Sequence, residues 1–313
     1  MVKITVNFLI NKNGFVFNCS KLNFCQLIYF LIIVILLALA PNSLTFSYRN
    51  WSRFMKICVL IKQVPDKNSP LSISDDQLSL SGTNITWVSN ESDNYALEEA
   101  LILKEAHGGE VAACTLGKES ARQVLKDAMA KGADRSIFIS DPKFDSLDIL
   151  SLAKVIASAL KNENFDLILS GLQSDDQGNS QLGLLISELL NMSHATLVMG
   201  TEIINDSTIK VKRELESGWF QWTELTLPAS ISIQSGINTP RYATLKGIMM
   251  VKNKTVDKIT SNEISNGDWT PKVSLNKIYI PDKAKETTYL DGSPDEISEK
   301  LIDIFKNEIK VRY

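Results

Sequence analysis

Histidine and cysteine are scarce in this chain, and the few present are poorly placed for metal chemistry. The 313 residues include two histidines, His107 and His194, and four cysteines. The cysteines form no C-x-x-C pair and no other metal-binding spacing; they are Cys19, Cys25, Cys58 and Cys114. Metal centres and histidine-based nucleophilic triads are therefore poorly supported. Cys58 and Cys114 lie in apolar, strand-like runs, which predicts buried and inert thiols.

Positive charge is also in short supply. Lysine and arginine together number 33 against 36 aspartates and glutamates, which gives a formal net charge of −3. No basic stripe with interleaved aromatic residues is present, so the sequence predicts no nucleic-acid partner. A complete P-loop and a complete G-x-G-x-x-G motif are also missing. The remaining composition is that of an ordinary globular protein with room for roughly one to three domains.

The first 54 residues differ from everything that follows. Residues 24–40 form a nearly uninterrupted apolar run of 17 residues. Three interpretations are open: a short transmembrane anchor, a targeting signal with Ala38-Leu39-Ala40 as its cleavage site, or a start of translation at Met55. Under each of them this extension lies outside the fold. The expected divisions of the chain are 1–54, 55–254 and 255–313.

Strands and helices alternate after Met55, which favours a doubly wound, mostly parallel α/β sheet. Short apolar runs predict strands at 56–61, 111–116, 135–139 and 165–170. Apolar residues at helical spacing predict helices at 93–105, with Asp93 as the cap, at 121–132 and at 146–161. A small hairpin is expected within 67–83.

The carboxyl-terminal third has a different character. Strands are predicted at 196–199, 208–215, 229–234 and, from a weaker pattern, 219–225. An extended segment is expected at 235–254, and a polar linker then leads to an amphipathic helix at 295–310. The apolar face of that helix has no assignable core. Packing on a partner chain and packing on its own subunit both remain open.

The chain is organised around the loop between the 165–170 strand and a helix predicted to start at Ser180. Small and polar residues fill this loop from Gly171 to Asn179. In an open α/β sheet, ligands bind where the carboxyl end of a strand leads into a helix. Small side chains there let a phosphate reach the unpaired N–H groups of the helix start. The pattern fits a nucleotide-binding loop and also an ordinary capped strand-to-helix turn.

Three further stretches together resemble a known family. They are K-I-C-V-L-I-K-Q-V-P-D at 56–66, N-E-S-D-N-Y-A-L-E-E-A-L-I-L-K-E at 90–105 and P-R-Y-A-T-L at 240–245. L-P-A precedes the last of these at 227–229, G-I-M follows it at 247–249, and G-A-D-R stands at 132–135. The combination resembles the beta subunit of electron transfer flavoprotein, and it covers residues 55–254 well and the tail loosely.

The resemblance implies an electron carrier rather than an enzyme with its own substrate. It implies an adenine-nucleotide alpha-hydrolase-like fold with a carboxyl-terminal extended arm and terminal helix. An alpha subunit would hold most of the redox-active FAD in a heterodimer, while the beta subunit binds AMP or, in bifurcating forms, a second FAD. Carried over by position, the nucleotide site comprises Leu60, Asn90, Glu91, Ser92, Asp93, Leu116, Gly171, Gln173, Ser174, Asp175, Asp176, Gln177, Gly178, Asn179, Ser180, Gln181, Leu182 and Gly183.

Two groups within that implied site have specific expectations. Leu60 and Leu116 would contribute main chain and apolar contact rather than charge. Asp175 and Asp176 would bond ribose hydroxyls or the loop's own amides rather than phosphate, because like charges repel.

The same resemblance implies a docking segment for acyl-CoA dehydrogenases or similar flavin dehydrogenases. Its residues are Arg241, Tyr242, Thr244, Leu245 and Ile248, with Leu245 inserted into a pocket of the partner. A leucine buried in a terminal turn is the competing interpretation. Electrons would pass on to electron transfer flavoprotein-quinone oxidoreductase. The expected location is the bacterial cytoplasm or the mitochondrial matrix, with a membrane tether at 24–40 if the first 54 residues are real.

Three positions depart from the pattern of many relatives. Leu182 stands where a hydroxyl residue can bond phosphate, Lys67 replaces an aromatic residue near the flavin, and Lys246-Gly247 replaces Pro-Asn. The alternative function is a stand-alone adenine-nucleotide-binding regulatory or adenylating domain. An adenylating enzyme of this layout would carry an S-G-G-x-D-S-like loop after the first strand, and residues 62–66 contain no glycine.

Overall fold

The computed structural model describes residues 9–11, 14–16, 54–82, 84–264, 267–281 and 287–310. The chain divides into two compact units, Met1–Asn50 and Trp51–Tyr313. In the first unit, β1 (Leu9–Asn11) and β2 (Gly14–Val16) form an antiparallel pair. The apolar run at 24–40 lies outside the described residues. Within the ranges given above, no helix has both the length and the hydropathy needed to cross a membrane.

The second unit is built from strands and helices that largely alternate. Its strands are β3 (Lys56–Leu60), β4 (Gln63–Pro65), β5 (Ser72–Ile73), β6 (Leu80–Ser81), β7 (Trp87–Ser89), β8 (Glu110–Leu116), β9 (Arg135–Ile139), β10 (Leu167–Gly171), β11 (Ser193–Asn205), β12 (Thr208–Glu214), β13 (Phe220–Thr226), β14 (Ala229–Ile233) and β15 (Val256–Ile259). Its α-helices are α1 (Glu91–His107), α2 (Arg122–Lys131), α3 (Ile149–Leu160), α4 (Leu182–Leu189), α5 (Leu245–Met250) and α6 (Pro294–Asp303).

One large sheet dominates this unit, with the strand order β13-β12-β11-β14-β10-β3-β8-β9-β15. From β11 to β15 along this order every neighbouring pair is parallel. β12 and β13 complete the other edge as an antiparallel meander. The predicted doubly wound, mostly parallel sheet is therefore confirmed. The chain moves outward from β3 to β8 and β9 and then returns to β10 on the opposite side, so the order reverses between β3 and β10.

Side-chain alternation along β3 explains why helices cover both faces of the sheet. Ile57 and Val59 belong to the apolar core that also contains α1 and α2. Cys58 and Leu60 point to the other core, with α3 and α4. All four side chains are buried, and burial of an aliphatic side chain of this size stabilises a fold by roughly 1.5–3 kcal/mol. A strand apolar at every position thus specifies a sheet covered on both sides.

Two predicted helix starts were wrong by about two residues. The helix expected to be capped by Asp93 begins at Glu91, with Asn90 in the N-cap position. The helix expected from Ser180 begins at Leu182, because Ser180 takes a left-handed conformation with a φ of +55°. Asp93 lies in the first turn of the helix and bonds the ends of two strands, whereas Ser180 belongs to the loop before its helix.

The segment at 235–254, predicted to be extended, contains α5, and β15 follows it as a parallel edge strand on β9. Thr244 caps α5 by accepting a hydrogen bond at Oγ1 from the backbone N of Gly247 (3.0 Å). A Cβ at Gly247 would lie 2.1 Å from the carbonyl oxygen of Ala130, so glycine lets α5 pack against α2. A helix of six residues offers too few periodic positions to be read from a pattern.

The hairpin predicted within 67–83 and the helix predicted at 295–310 are both present in the structure. β5 and β6 form the expected small hairpin. The terminal helix begins with a capping box between Ser293 and Glu296, and a wider π-helical turn at Ile304–Glu308 continues it. No residue of α6 is buried in the described structure, and its apolar Leu301 and Ile302 are exposed.

Candidate functional site

A cleft opens at the carboxyl ends of β3, β8 and β10, where the strand order reverses. The space in it that is open to the centre of a water-sized molecule is about 100 Å³. It is lined by Leu60, Ile61, Lys62, Asn90, Asp93, Cys114, Thr115, Leu116, Ile149, Leu152, Ile156, Ser170, Gly171, Leu172, Gln173, Ser174, Gln177, Asn179, Ser180, Gln181 and Leu182. The cleft thus gathers the loops that follow three of the predicted strands.

Asp93 connects the two strands on either side of the reversal. Its Oδ2 accepts a hydrogen bond from the backbone N of Lys62 after β3 (2.8 Å), and its Oδ1 accepts one from the backbone N of Gly171 at the end of β10 (2.9 Å). Burial raises the pKa of Asp93 to about 6, against the opposing effect of these N–H groups, Asn90 and the Lys62 charge. A single buried carboxylate therefore holds the two strand ends together.

The first turn of α1 also fixes the loop that follows β10. The carbonyl oxygen of Gln173 accepts hydrogen bonds from Asn90 Nδ2 (2.9 Å) and Ser92 Oγ (2.7 Å). Asn90 Oδ1 accepts a third from the backbone N of Asp175 (2.9 Å). Asn90 is 1% exposed, and a buried amide with partners at both ends allows little movement. The loop is therefore largely preformed.

Two glycines allow the helices to approach the strand ends this closely. A Cβ at Gly171 would lie 2.2 Å from Ser92 Oγ, and a Cβ at Gly183 would lie 2.6 Å from Ser232 Oγ. Any larger residue at either position would push α1 or α4 away from the sheet. The small residues noted in the sequence are thus required by packing as well as by access to the cleft.

The far part of the loop offers a positive charge and backbone donors. Lys62 Nζ donates hydrogen bonds to Asp176 Oδ1 (2.7 Å) and Gln177 Oε1 (3.2 Å). Ser180 Oγ donates to Gln173 Oε1 (3.0 Å). Among the described residues, no side chain caps the start of α4, where Gln181 is the N-cap. The first N–H groups of α4 can therefore bind an anion, with the helix dipole favouring negative charge there.

Two buried hydroxyl groups in the cleft have no hydrogen-bond partner in the described part of the chain. They are Thr115 Oγ1 and Ser170 Oγ. Buried polar atoms are normally paired, so these two groups are exceptions among the residues that line the cleft. α3 adds an apolar wall through Ile149, Leu152 and Ile156. This combination suits a flat heteroaromatic ring with polar edges, next to an anion site.

The structure brings the predicted nucleotide-site residues together. Those that do not line the cleft lie in the same loop or at the two helix starts; they are Glu91, Ser92, Asp175, Asp176, Gly178 and Gly183. Asp176 accepts a hydrogen bond from the backbone N of Gln177 (2.8 Å), and Asp175 Oδ2 accepts one from that of Glu91 (3.3 Å). Asp176 thus bonds an amide of its own loop, one of the two expectations for it, whereas Asp175 bonds an amide at the start of α1.

Sequence reasoning missed several residues of the cleft. Lys62, Thr115 and Ser170 were not predicted, nor was the contribution of α3. Lys62 could have been found, because it directly follows the first strand of the sheet and is the cation nearest to that strand's end. The others carry no local signal, since a serine or threonine at a strand end is common in any protein.

The predicted docking residues form two distinct groups. Tyr242 and Leu245 are 92% and 82% exposed, so the interpretation of a buried leucine was wrong. With the exposed side chains of Ile248, Met249 and Met250 they form what we call the apolar patch. By contrast, Arg241 is bound to α1 through ion pairs, and Thr244 is occupied as the cap of α5. The docking role itself stays a prediction.

These features define a doubly wound α/β protein with a ligand-type cleft at its switch point. The family model described as electron transfer flavoprotein domain matches residues 79–264. Electron transfer flavoprotein subunit beta of Bacillus subtilis (strain 168) is 32% identical over 260 residues, which cover 82% of this chain and 100% of that protein. The mitochondrial subunit beta of Oryza sativa subsp. indica is 33% identical over 261 residues, with coverage of 82% and 100%.

A third relative, electron transfer flavoprotein subunit beta of Thermoanaerobacterium thermosaccharolyticum, is 35% identical over 255 residues, which cover 80% of this chain and 97% of that protein. The chain therefore belongs to the electron transfer flavoprotein family, as a beta subunit. The resemblance seen in the sequence is confirmed. Its role is that of a carrier subunit in electron transfer.

Proposed function

We propose that this chain assembles with an alpha subunit into a heterodimer and binds an adenylate, AMP or the adenylate part of a second FAD, in the cleft described above. The observation that carries the proposal is the cleft itself. It combines unpaired buried hydroxyls at Thr115 and Ser170, an apolar wall from α3 and the uncapped start of α4. An adenine ring with a ribose and phosphate needs these three kinds of contact.

The chemistry of the residues present fits an adenylate. Lys62 and the residues at the start of α4 line the same cleft and would bind the phosphate, and Leu60 and Leu116 would add main-chain and apolar contact. Gly171 lets the first turn of α1 approach the end of β10, which a Cβ would prevent. The FAD held mainly by the alpha subunit supplies the redox chemistry when it is bound. This chain would complete the surroundings of the flavin and contribute to the surface on which the heterodimer binds other proteins.

Partners and location follow from the same proposal. Electrons would arrive from acyl-CoA dehydrogenases or similar flavin dehydrogenases and leave for electron transfer flavoprotein-quinone oxidoreductase. The exposed Tyr242 and Leu245 support a small docking surface, because a few apolar side chains can hold a partner loosely. Relatives from bacteria and from plant mitochondria support the bacterial cytoplasm or the mitochondrial matrix as the location.

Co-expression with the alpha subunit of the same organism tests the proposal. We expect the two chains to purify together, with a flavin absorbance spectrum and one released adenylate per beta subunit. Extraction of the nucleotide followed by chromatography distinguishes AMP from FAD, and the alpha subunit expressed alone is the control. A beta chain that stays monomeric, colourless and free of nucleotide in the presence of the alpha subunit would contradict the proposal.

A further inference from the structure

Arg241 stands next to the apolar patch, yet its charge is directed to α1. Its Nε donates to both carboxylate oxygens of Glu98 (3.1 and 2.9 Å), and its Nη2 donates to Glu98 Oε1 (2.9 Å). The backbone N of Arg241 bonds the same carboxylate (3.0 Å). Nη1 and Nη2 each donate to Glu105, at 2.5 and 3.2 Å. One guanidinium thus joins two carboxylates that lie two turns apart on the helix.

The burial of this cluster makes it more than a surface ion pair. The Glu98 side chain is 8% exposed, and that of Arg241 is 32% exposed. Hydrogen bonding to Arg241 holds the pKa of Glu105 below its ordinary value, and hydrogen bonding to Glu105 and Glu98 raises the pKa of Arg241. Forked, charge-assisted hydrogen bonds of this kind fix direction as well as distance, which a lysine could not do.

Two further contacts fix the backbone on either side of Arg241. Asn238 Nδ2 donates to the carbonyl oxygen of Tyr95 (3.1 Å) and to Glu99 Oε2 (3.0 Å), both on α1. On the other side, Gly247 packs directly against the end of α2. The segment is therefore anchored before, at and after Arg241, while the apolar patch between and beyond these anchors projects outward.

We propose that Arg241 is a positioning residue: bound to Glu98 and Glu105 of α1, it holds the apolar patch in the orientation that docks a flavin dehydrogenase, without touching that partner itself. The inference rests on the proposed function, because it takes the patch to be the docking surface. Exposed apolar side chains on a loose segment would lose more conformational freedom on binding, so fixing the segment beforehand strengthens docking.

The test uses the heterodimer with its FAD bound and measures the KM and kcat of an acyl-CoA dehydrogenase for it as electron acceptor. For Arg241→Gln we expect a KM raised about tenfold and a kcat changed less than about twofold, with flavin and nucleotide contents unchanged. Arg241→Lys should have a KM between those of the wild type and Arg241→Gln, because an ammonium cannot form the forked hydrogen bonds of a guanidinium. The matched control is Arg122→Gln, which removes an arginine paired with the exposed Glu119.

A second readout does not need the partner. Trypsin should cleave after the exposed Lys246 several-fold faster in Arg241→Gln than in the wild type or in Arg122→Gln. An unchanged KM with an unchanged cleavage rate would overturn the inference. A loss of flavin or nucleotide in proportion to the change in KM would also overturn it, because Arg241 would then support the whole fold. Faster cleavage of Arg241→Gln would show that Arg241 fixes the segment. If the wild type then accepts no electrons from the dehydrogenase, the proposed docking function is wrong although Arg241 does fix the segment.

Discussion

The cleft and the apolar patch are both organised by α1, but they use side chains in opposite ways. In the cleft, Asn90 and Asp93 are buried, and their polar atoms bond the backbone at the ends of β3 and β10 and in the loop after β10. At the patch, Arg241 is bound to α1, whereas Tyr242 and Leu245 are exposed. A change in the cleft should therefore alter stability and ligand content together. A change in the patch should alter partner affinity alone.

Gly171→Ala should have the largest effect and should break the cleft half of this comparison. The new Cβ would lie 2.2 Å from Ser92 Oγ and 2.4 Å from Asp93 Oδ1, with the backbone of Ser92 at 2.7 Å. Relief of these contacts requires α1 to move from β10, at a cost of about 3 kcal/mol. Urea unfolding and nucleotide content measure both consequences. Gly200→Ala is the control, because its Cβ would meet nothing closer than 3.4 Å; equal effects at both positions would contradict the explanation.

Asp93→Asn should change how stability depends on pH. The pKa of Asp93 is raised by burial from 3.8 to about 6. Between these values the folded state binds the proton more tightly than the unfolded state, so protonation favours folding. As the pH rises through this window, the free energy of unfolding of the wild type should fall by about 3 kcal/mol relative to the variant. Urea midpoints from about pH 3 to about pH 8 give the difference between the two curves.

The control for that measurement has the opposite sign. Hydrogen bonds from the backbone N–H groups of Ser151 and Lys272 hold the pKa of Asp148 below its ordinary value. Its contribution to stability is therefore present above the ordinary pKa and is lost as the pH falls. Asp148→Asn should leave the pH dependence of the free energy of unfolding near pH 6 unchanged. At lower pH, the variant should lose less stability than the wild type does. Parallel curves for wild type and Asp93→Asn would show that Asp93 is not the buried acid inferred here.

Leu245→Ala addresses the other half of the comparison. We expect slower electron transfer from the dehydrogenase through a raised KM, corresponding to about 2 kcal/mol of lost docking energy, because exposed apolar anchors carry much of such interfaces. The flavin absorbance and the free energy of unfolding should stay unchanged, since Leu245 is 82% exposed. Leu78→Ala, at an exposed leucine of the β5–β6 hairpin, is the control. Loss of flavin absorbance in Leu245→Ala would show that the residue is structural instead.

The parallel part of the sheet could be predicted because its signals are local. β3 is apolar at nearly every position and β10 follows the same pattern, which predicts burial on both faces. β11 was predicted too short, as 196–199, although it spans thirteen residues. Its register shifts around Leu197, which has a φ of +57°, and the bulge breaks the period of two on which the prediction depended.

The ion-pair partners of Arg241 and Lys62 could not have been predicted from the sequence. Arg241 bonds Glu98 across 143 positions, and Lys62 bonds Asp176 across 114. Spacing within a helix or strand carries no information about such pairs, because the topology of the sheet alone brings them together. The family resemblance placed Arg241 in the docking segment but did not predict the direction of its side chain. Only the fold shows that it faces inward.

Asp176→Asn should have the smallest effect and sharpens the description of the cleft. The Lys62–Asp176 pair is about one-third exposed, so its loss should change stability by less than about 1 kcal/mol. The freed ammonium and the removal of a negative charge should, however, tighten AMP binding a few-fold at low salt, and less at high salt. Calorimetric titration of the nucleotide-stripped heterodimer measures this, and Lys62→Gln in the same chain should abolish the gain. Weaker AMP binding would instead mean that Asp176 bonds the ribose, the alternative role that its sequence position allows.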